Sequence, residues 1–240
     1  MTPVAVRRAP LTARLAWLGI LTALVDLGSA YIKVPLVPRG VTAGDLIQLL
    51  GTFPLLALYA AIALDLHARH PAGARIASVL FIAGVANALG TGVHVAANSI
   101  HDMLDHTGIG DPWRLAYFWD EHLGHYMPDA SRAAFAVALT AWESKAPGAA
   151  GSSTNRAPLV LGALAYGFIY FATGVEGQTV PLALPFSLAY AVWSLGRRRS
   201  GAGGPVRGFY TIAAVTSIFL FLVWGVWHRG FPEFSRTGLL

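Results

Sequence analysis

Long apolar runs are the feature that most limits the folds open to this chain. Several of them approach or exceed the roughly 18 residues that span the hydrocarbon region of a bilayer. Charged residues make up only 12% of the 240 residues, about half the share found in soluble domains, and the mean hydropathy is +0.55. The sequence therefore predicts an all-α, polytopic integral membrane protein with one transmembrane domain, residues 1–240. A soluble enzyme is excluded.

Seven segments are predicted to cross the membrane. Their bounds are 15–36, 44–66, 75–100, 114–143, 157–175, 179–196 and 207–228. The fourth segment is polar from 120 to 132, and its apolar remainder is too short to cross alone. Its polar half is therefore expected to lie in protein or in an aqueous cavity, with a kink at Pro128. A fold with six spans, in which 113–126 forms a surface helix, stays open.

The basic residues predict the orientation of the bundle. A cytoplasmic N-terminus, retained as part of the first span, places eleven arginines and lysines on the cytoplasmic side and five on the other. The cytoplasmic set is Arg7, Arg8, Arg14, Arg69, Arg75, Lys145, Arg156, Arg197, Arg198, Arg199 and Arg207. Because these residues lie near helix ends, they indicate a multi-pass protein of a bacterial-type cell membrane and exclude nucleic acid as a partner.

Histidines and carboxylates gather in one part of the chain. Five of the eight histidines fall between residues 94 and 125. The cluster contains His94, His101, Asp102, His106, Asp120, Glu121, His122 and His125. Ionisable groups are costly near a bilayer and are usually kept for function, and the predicted topology places the whole cluster on the extracytoplasmic side.

Helical spacing selects the candidate site residues within this cluster. The third span presents His94, Asn98 and His101 on one face, and the fourth presents Tyr117, Glu121 and His125. The short loop between these spans predicts antiparallel neighbours. The predicted ligands of a divalent metal are His94, His101, Glu121 and His125. Because the chain has no cysteine, a metal would need histidine, carboxylate or water ligands. This donor set favours zinc, with iron or copper open.

The other residues of these faces are candidates for catalysis. Asp120 or Asp102 would act as a base or orient a ligand imidazole, and Tyr117 and Asn98 would polarise or position a substrate. This arrangement predicts a metal-dependent membrane enzyme, a hydrolase in which a metal-bound water is the nucleophile. An oxidoreductase stays open. The expected substrate is lipidic or amphiphilic and enters from the membrane lipid.

Two other classes of function remain alternatives. The first is a proton- or ion-coupled transporter, and the second is a non-catalytic membrane subunit with a structural polar cluster. A transporter would need polar residues that continue to the cytoplasmic side, whereas the inner halves of the third, fifth and seventh spans look apolar.

Polar residues outside the cluster also have two interpretations. Asp26, in the middle of the first span, is expected to pair with Lys33 or a hydroxyl, or else to line a polar cavity. Glu176 is expected to be an exposed loop acid, with a place in the cavity as the alternative. His228 follows Trp224 and is expected to belong to an interfacial aromatic belt.

Overall fold

The structure, a computed structural model, describes residues 10–37, 40–104, 110–145, 156–198 and 204–239, without the side chains of Asp102 and Arg198. Within these ranges the chain is helical and has no β-strand. The helices are α1 (Leu11–Tyr31), α2 (Ala43–Arg69), α3 (Ala74–Leu104), α4 (Asp111–Phe118), a π-helical segment (Trp119–Gly124), α5 (Tyr126–Glu143), α6 (Ala157–Glu176), α7 (Val180–Arg198), α8 (Pro205–His228) and α9 (Phe234–Thr237).

Five of the described helices are long and apolar enough to cross a membrane, as in a multi-pass membrane protein. They are α1, α2, α3 to His101, α6 and α8. Their bounds lie close to the predicted spans because each follows an uninterrupted apolar run that ends at a loop with proline or glycine.

The first helix begins and ends about four residues earlier than its predicted span. Arg14 can lie inside it because its guanidinium is paired with Asp65 of α2, at 2.6 Å between Nη1 and Oδ2. After Tyr31 the chain turns towards α2, which begins with a capping box. There the Thr42 amide donates to the Asp45 carboxylate at 2.7 Å, and the Asp45 amide donates to the Thr42 hydroxyl.

The fourth predicted span is broken into two helices by the π-helical segment. The sequence predicts a kink at Pro128, whereas the structure has its irregular π-helical turn just before that proline. A proline ring clashes with the carbonyl four residues earlier in a regular helix, and that carbonyl belongs to Gly124, where the π-helical segment ends. A wider turn avoids this clash.

Helix α5 lies at the centre of the bundle and contacts α2, α3, α6, α7 and α8. Its aromatic ring Phe135 stacks on Tyr59 of α2 with 3.9 Å between ring centroids. It also carries three charged residues, Asp129, Arg132 and Glu143. These three charged side chains explain why α5 is not among the five apolar helices, although neighbouring helices bury most of α5.

The bundle has two ends that differ in chemistry. The site end is formed by residues 94–104 of α3, by α4, the π-helical segment, the start of α5 and the α6–α7 turn. The opposite end contains the last turn of α5 and the first turns of α8. The sequence predicts that the cytoplasmic half of the seventh span, now the first half of α8, is apolar. This prediction is wrong, because Arg207 and Thr211 are buried there.

Candidate metal centre

Three side chains converge at the site end. The His94 Nδ1 atom lies 2.6 Å from Asp120 Oδ1, and His125 Nε2 lies 3.9 Å from the same oxygen. The two imidazole centroids are 4.5 Å apart. Among the described residues, these three form the one group whose potential ligand atoms all lie within 4.8 Å of one another. We call this group the His–Asp–His centre.

The π-helical segment explains why Asp120, rather than Glu121, joins the two histidines. On a regular α-helix Glu121, four residues before His125, shares its face. A π-helical turn bonds residues five apart and so holds more residues per turn. Asp120, five residues before His125, therefore takes the position that regular helical spacing assigns to Glu121.

Two glycines allow the histidines to come this close. A Cβ atom on Gly124 would lie 2.9 Å from both Cα and Cβ of His94, so α3 meets the π-helical segment without an intervening side chain. A Cβ atom on Gly177, in the α6–α7 turn, would collide with the His125 imidazole. Sequence reasoning missed both glycines, and only the position of Gly124 directly before His125 offered a signal.

The His–Asp–His centre is only partly shielded. The His94 and His125 side chains are each 18% exposed, and that of Asp120 is 11% exposed. Packing around these side chains therefore holds their positions while part of each stays exposed.

The remaining candidates of α3 and α4 lie beside the centre and outside it. His101, two turns beyond His94, packs against Trp113 at 4.9 Å and Tyr117 at 6.0 Å between ring centroids. The Tyr117 hydroxyl accepts a hydrogen bond from Gln178 Nε2 at 3.3 Å. Asn98 is half-buried on α3, one turn beyond His94.

Glu121 is half-buried, and its Oε2 atom is buried with no hydrogen-bond partner. His122 is exposed and stacks on Phe118 at 4.7 Å between ring centroids. The predicted roles of the Asp102 side chain and of His106 lie outside the described residues.

Asp26 pairs with an arginine that the sequence analysis left without a role. Its Oδ2 atom lies 2.8 Å from Arg132 Nη2, while Lys33, the predicted partner, is exposed. Arg132 also contacts Asp129 Oδ1 at 3.3 Å and donates to the Thr173 hydroxyl at 3.0 Å. The three-residue step from Asp129 to Arg132 on one helix was the available signal.

Two other polar residues at this end have partners outside the His–Asp–His centre. Glu176 is not an exposed loop acid, because its Oε2 atom accepts the Phe234 amide at 2.7 Å and so stabilises the start of α9. His228 lies on Trp224 with 4.0 Å between ring centroids, as expected for an aromatic belt residue. Neither residue contributes to the His–Asp–His centre.

The centre offers two imidazole nitrogens and one carboxylate oxygen. This donor set suits zinc and other divalent transition metals, and three protein ligands leave a fourth position for water or substrate. Without a metal, the same atoms form a hydrogen-bonded His–carboxylate pair beside a second imidazole.

Comparison of the chain with protein-family models, with curated proteins and with solved structures finds no match in any of the three.

Proposed function

We propose that this protein is an integral membrane enzyme that binds one divalent metal ion, zinc in preference to iron or copper, at the His–Asp–His centre. The observation that carries the proposal is the convergence of His94, Asp120 and His125 on one small volume. Ligand bonds of about 2 Å place the donor atoms of a tetrahedral zinc roughly 3.3 Å apart. The distances around Asp120 Oδ1, 2.6 and 3.9 Å, bracket that value.

The proposed ligand set differs from the one expected from spacing alone. Asp120 becomes a ligand, and Glu121 takes the role of general base. Glu121 directly follows the ligand Asp120 in the chain. The Oε2 atom of Glu121 is buried and has no hydrogen-bond partner. A bound metal would supply Lewis acidity for hydrolysis, and Tyr117 and Asn98 stay candidates for positioning the substrate.

Apolar side chains around the centre support a lipidic or amphiphilic substrate. The site end of α3, α4 and the π-helical segment expose large hydrophobic residues at the same end of the bundle as the ligands. They are Ile100, Met103, Leu115, Phe118 and Trp119. An apolar rim of this kind favours entry from the membrane rather than from water.

The positive-inside rule supports the orientation. Arg69, Arg75 and Arg207 lie at the end opposite the site. With seven spans, α5 and α7 included, the N-terminus and this end face the cytoplasm. The His–Asp–His centre then lies near the extracytoplasmic leaflet of a bacterial-type cell membrane.

Metal analysis of the detergent-purified protein tests the proposal. We expect about one zinc per chain in the wild type and a loss of at least about tenfold in affinity in Asp120→Asn, His94→Ala and His125→Ala, because even the loss of a residue that only hydrogen-bonds to a ligand costs about tenfold or more. His122→Ala is the matched control, because it removes an exposed histidine of the same segment. Metal content near zero in the wild type, or equal in wild type and Asp120→Asn, would overturn the proposal.

Hydrolysis is tested separately from binding. Zinc-loaded protein is incubated in vesicles of extracted bacterial lipids, and the lipids are analysed by mass spectrometry. We expect hydrolysis products with the wild type and none with Asp120→Asn or Glu121→Gln. If zinc binds and no lipid changes, the metal site stands and the proposed lipid hydrolase does not.

A further inference from the structure

A line of buried polar groups follows one face of α5 through the centre of the bundle. Asp129, Arg132, Thr140 and Glu143 share that face, with Ala136 in the one apolar gap between them. Asp129 is 2% exposed, Thr140 0% and Glu143 5%. From Asp129 to Glu143 the line covers about 21 Å at 1.5 Å per residue, most of a hydrocarbon core of about 30 Å.

The first part of the line is a charged triad. Arg132 lies between Asp26 of α1 and Asp129, and Thr173 and Thr179 both donate hydrogen bonds to Asp129. Two carboxylates and one guanidinium leave one negative charge when both acids are ionised. The triad therefore has an acceptor for one proton while the guanidinium keeps its own.

Tyrosines from two further helices lie next to this triad. The hydroxyls of Tyr59 on α2 and Tyr166 on α6 share a hydrogen bond of 2.7 Å. Tyr166 lines the same cavity as Arg132. Arg132 and Tyr166 therefore lie at one cavity, and the hydroxyls of Tyr59 and Tyr166 can both donate and accept.

A small cavity fills the gap at Ala136. Its volume is about 20 Å³, and the residues that line it include Arg132, Ala136, Tyr170, Ser187 and Tyr210. The hydroxyl oxygens of Tyr170 and Ser187 are buried with no hydrogen-bond partner, and the Tyr210 hydroxyl lies close to that of Tyr59. A water molecule needs at least about 10–15 Å³ and two to four polar partners. The cavity has the volume for one water, and the hydroxyls of Tyr170 and Ser187 are the candidate partners.

The line continues beyond the cavity to the opposite end. Tyr190 also lines the cavity, and its hydroxyl shares a hydrogen bond of 2.7 Å with Thr140. One turn further along α5, the Glu143 carboxylate accepts the amides of Val206 at 2.8 Å and Arg207 at 2.9 Å. A second carboxylate thus stands at the far end of the line.

We propose that this line, completed by one water in the cavity at Ala136, conducts protons between the Asp26–Arg132–Asp129 triad and Glu143. A proton binds a carboxylate oxygen of the triad. Each hydroxyl and the water then accepts one proton and releases another, and Glu143 receives one and releases it at the opposite end. Only O–H bonds break and form, so no oxidant or reductant is needed.

Proton flux into vesicles tests this proposal. The full chain is reconstituted in phosphatidylcholine–phosphatidylglycerol vesicles that contain a pH-sensitive dye, and valinomycin with a potassium gradient sets an inside-negative potential. We expect internal acidification at least about tenfold faster than in protein-free vesicles. Tyr210→Phe and Thr140→Val should each slow it about tenfold, which corresponds to 1.36 kcal/mol in barrier height.

Thr91→Val is the matched control for these variants. The Thr91 hydroxyl is buried on α3, which contributes no group to the line, and it donates to the Asn87 carbonyl of its own helix at 2.9 Å, so its loss should leave the flux unchanged. Flux equal to that of empty vesicles, or equal in wild type and Tyr210→Phe, would overturn the proposal. Tyr210→Phe keeps the ring that packs against Tyr166, Tyr190 and Phe209 and should fold normally, which its melting temperature verifies.

Zinc content measured on the same preparations separates this proposal from the metal site. Protein that binds zinc and conducts no protons contradicts only the proton path. Protein that conducts protons and binds no zinc contradicts only the metal site.

Discussion

Helices α3 and α5 lie side by side and place their polar groups in opposite surroundings. Helix α3 is a long apolar helix with Phe81 and Ile82 on its outer surface, 73% and 63% exposed, and polar ligands only towards its end. Helix α5 is polar along its length and buried by its neighbours. High hydropathy therefore identifies helices such as α3 that face lipid. The polar groups that the bundle shields from lipid lie on α5, the helix that the others surround.

The largest effect expected from this difference is at Arg132. Arg132→Met leaves the carboxylates of Asp26 and Asp129 buried without their cation, which should cost about 3–5 kcal/mol in the free energy of unfolding. The matched change on α3, Arg75→Met, removes an exposed arginine and should stay within about 0.5 kcal/mol. Unfolding in detergent measures both, and equal losses would remove the contrast between the helices.

A smaller effect is expected where the two helices meet the His–Asp–His centre. Gly124→Ala places a methyl group 2.9 Å from His94 Cα and Cβ, and such overpacking costs about 1–3 kcal/mol. It should also weaken zinc binding by moving Asp120 away from His94.

The control for Gly124 is Gly92→Ala on α3. A Cβ atom there meets nothing within 4 Å, so the better helix propensity of alanine should stabilise the protein by about 0.5–1 kcal/mol. Changes of the same sign at both positions would refute the close contact between α3 and the π-helical segment.

The smallest effect is expected on the lipid-facing side of α3. Ile82→Ala should change the free energy of unfolding by less than about 0.5 kcal/mol, since lipid replaces the lost contacts. Leu139→Ala on α5 removes a side chain that is 0% exposed and should cost about 2–5 kcal/mol through the cavity it leaves. The comparison fails if the two variants unfold alike.

Much of the helical architecture follows from the sequence. The apolar runs that became α2, α6 and α8 predict their helices closely, because each run ends at proline or glycine. The division of the fourth span into α4, a π-helical segment and α5 could not be predicted from the sequence. The effect of Pro128 on the preceding turn depends on how Gly124 packs against His94.

The sequence predicts that His94 and His125 lie at the same end of the bundle, but it does not predict Asp120 as their partner in the converging group. His94 and His125 face each other as regular helical spacing indicates. Asp120 replaces Glu121 in the converging group because the π-helical segment shifts the register of the chain by one residue. The sequence did not predict the ion pair between Arg132 and Asp26. The two residues are 106 positions apart, and no local pattern indicates a contact over that separation.

X-ray absorption spectroscopy at the zinc edge of the metal-loaded protein tests the central claim most directly. The His–Asp–His centre predicts two imidazole nitrogens and carboxylate or water oxygens at about 2.0–2.2 Å, with one imidazole lost in His125→Ala and both retained in His122→Ala. A zinc shell of oxygen atoms alone, or a spectrum unchanged by His125→Ala, would contradict the account.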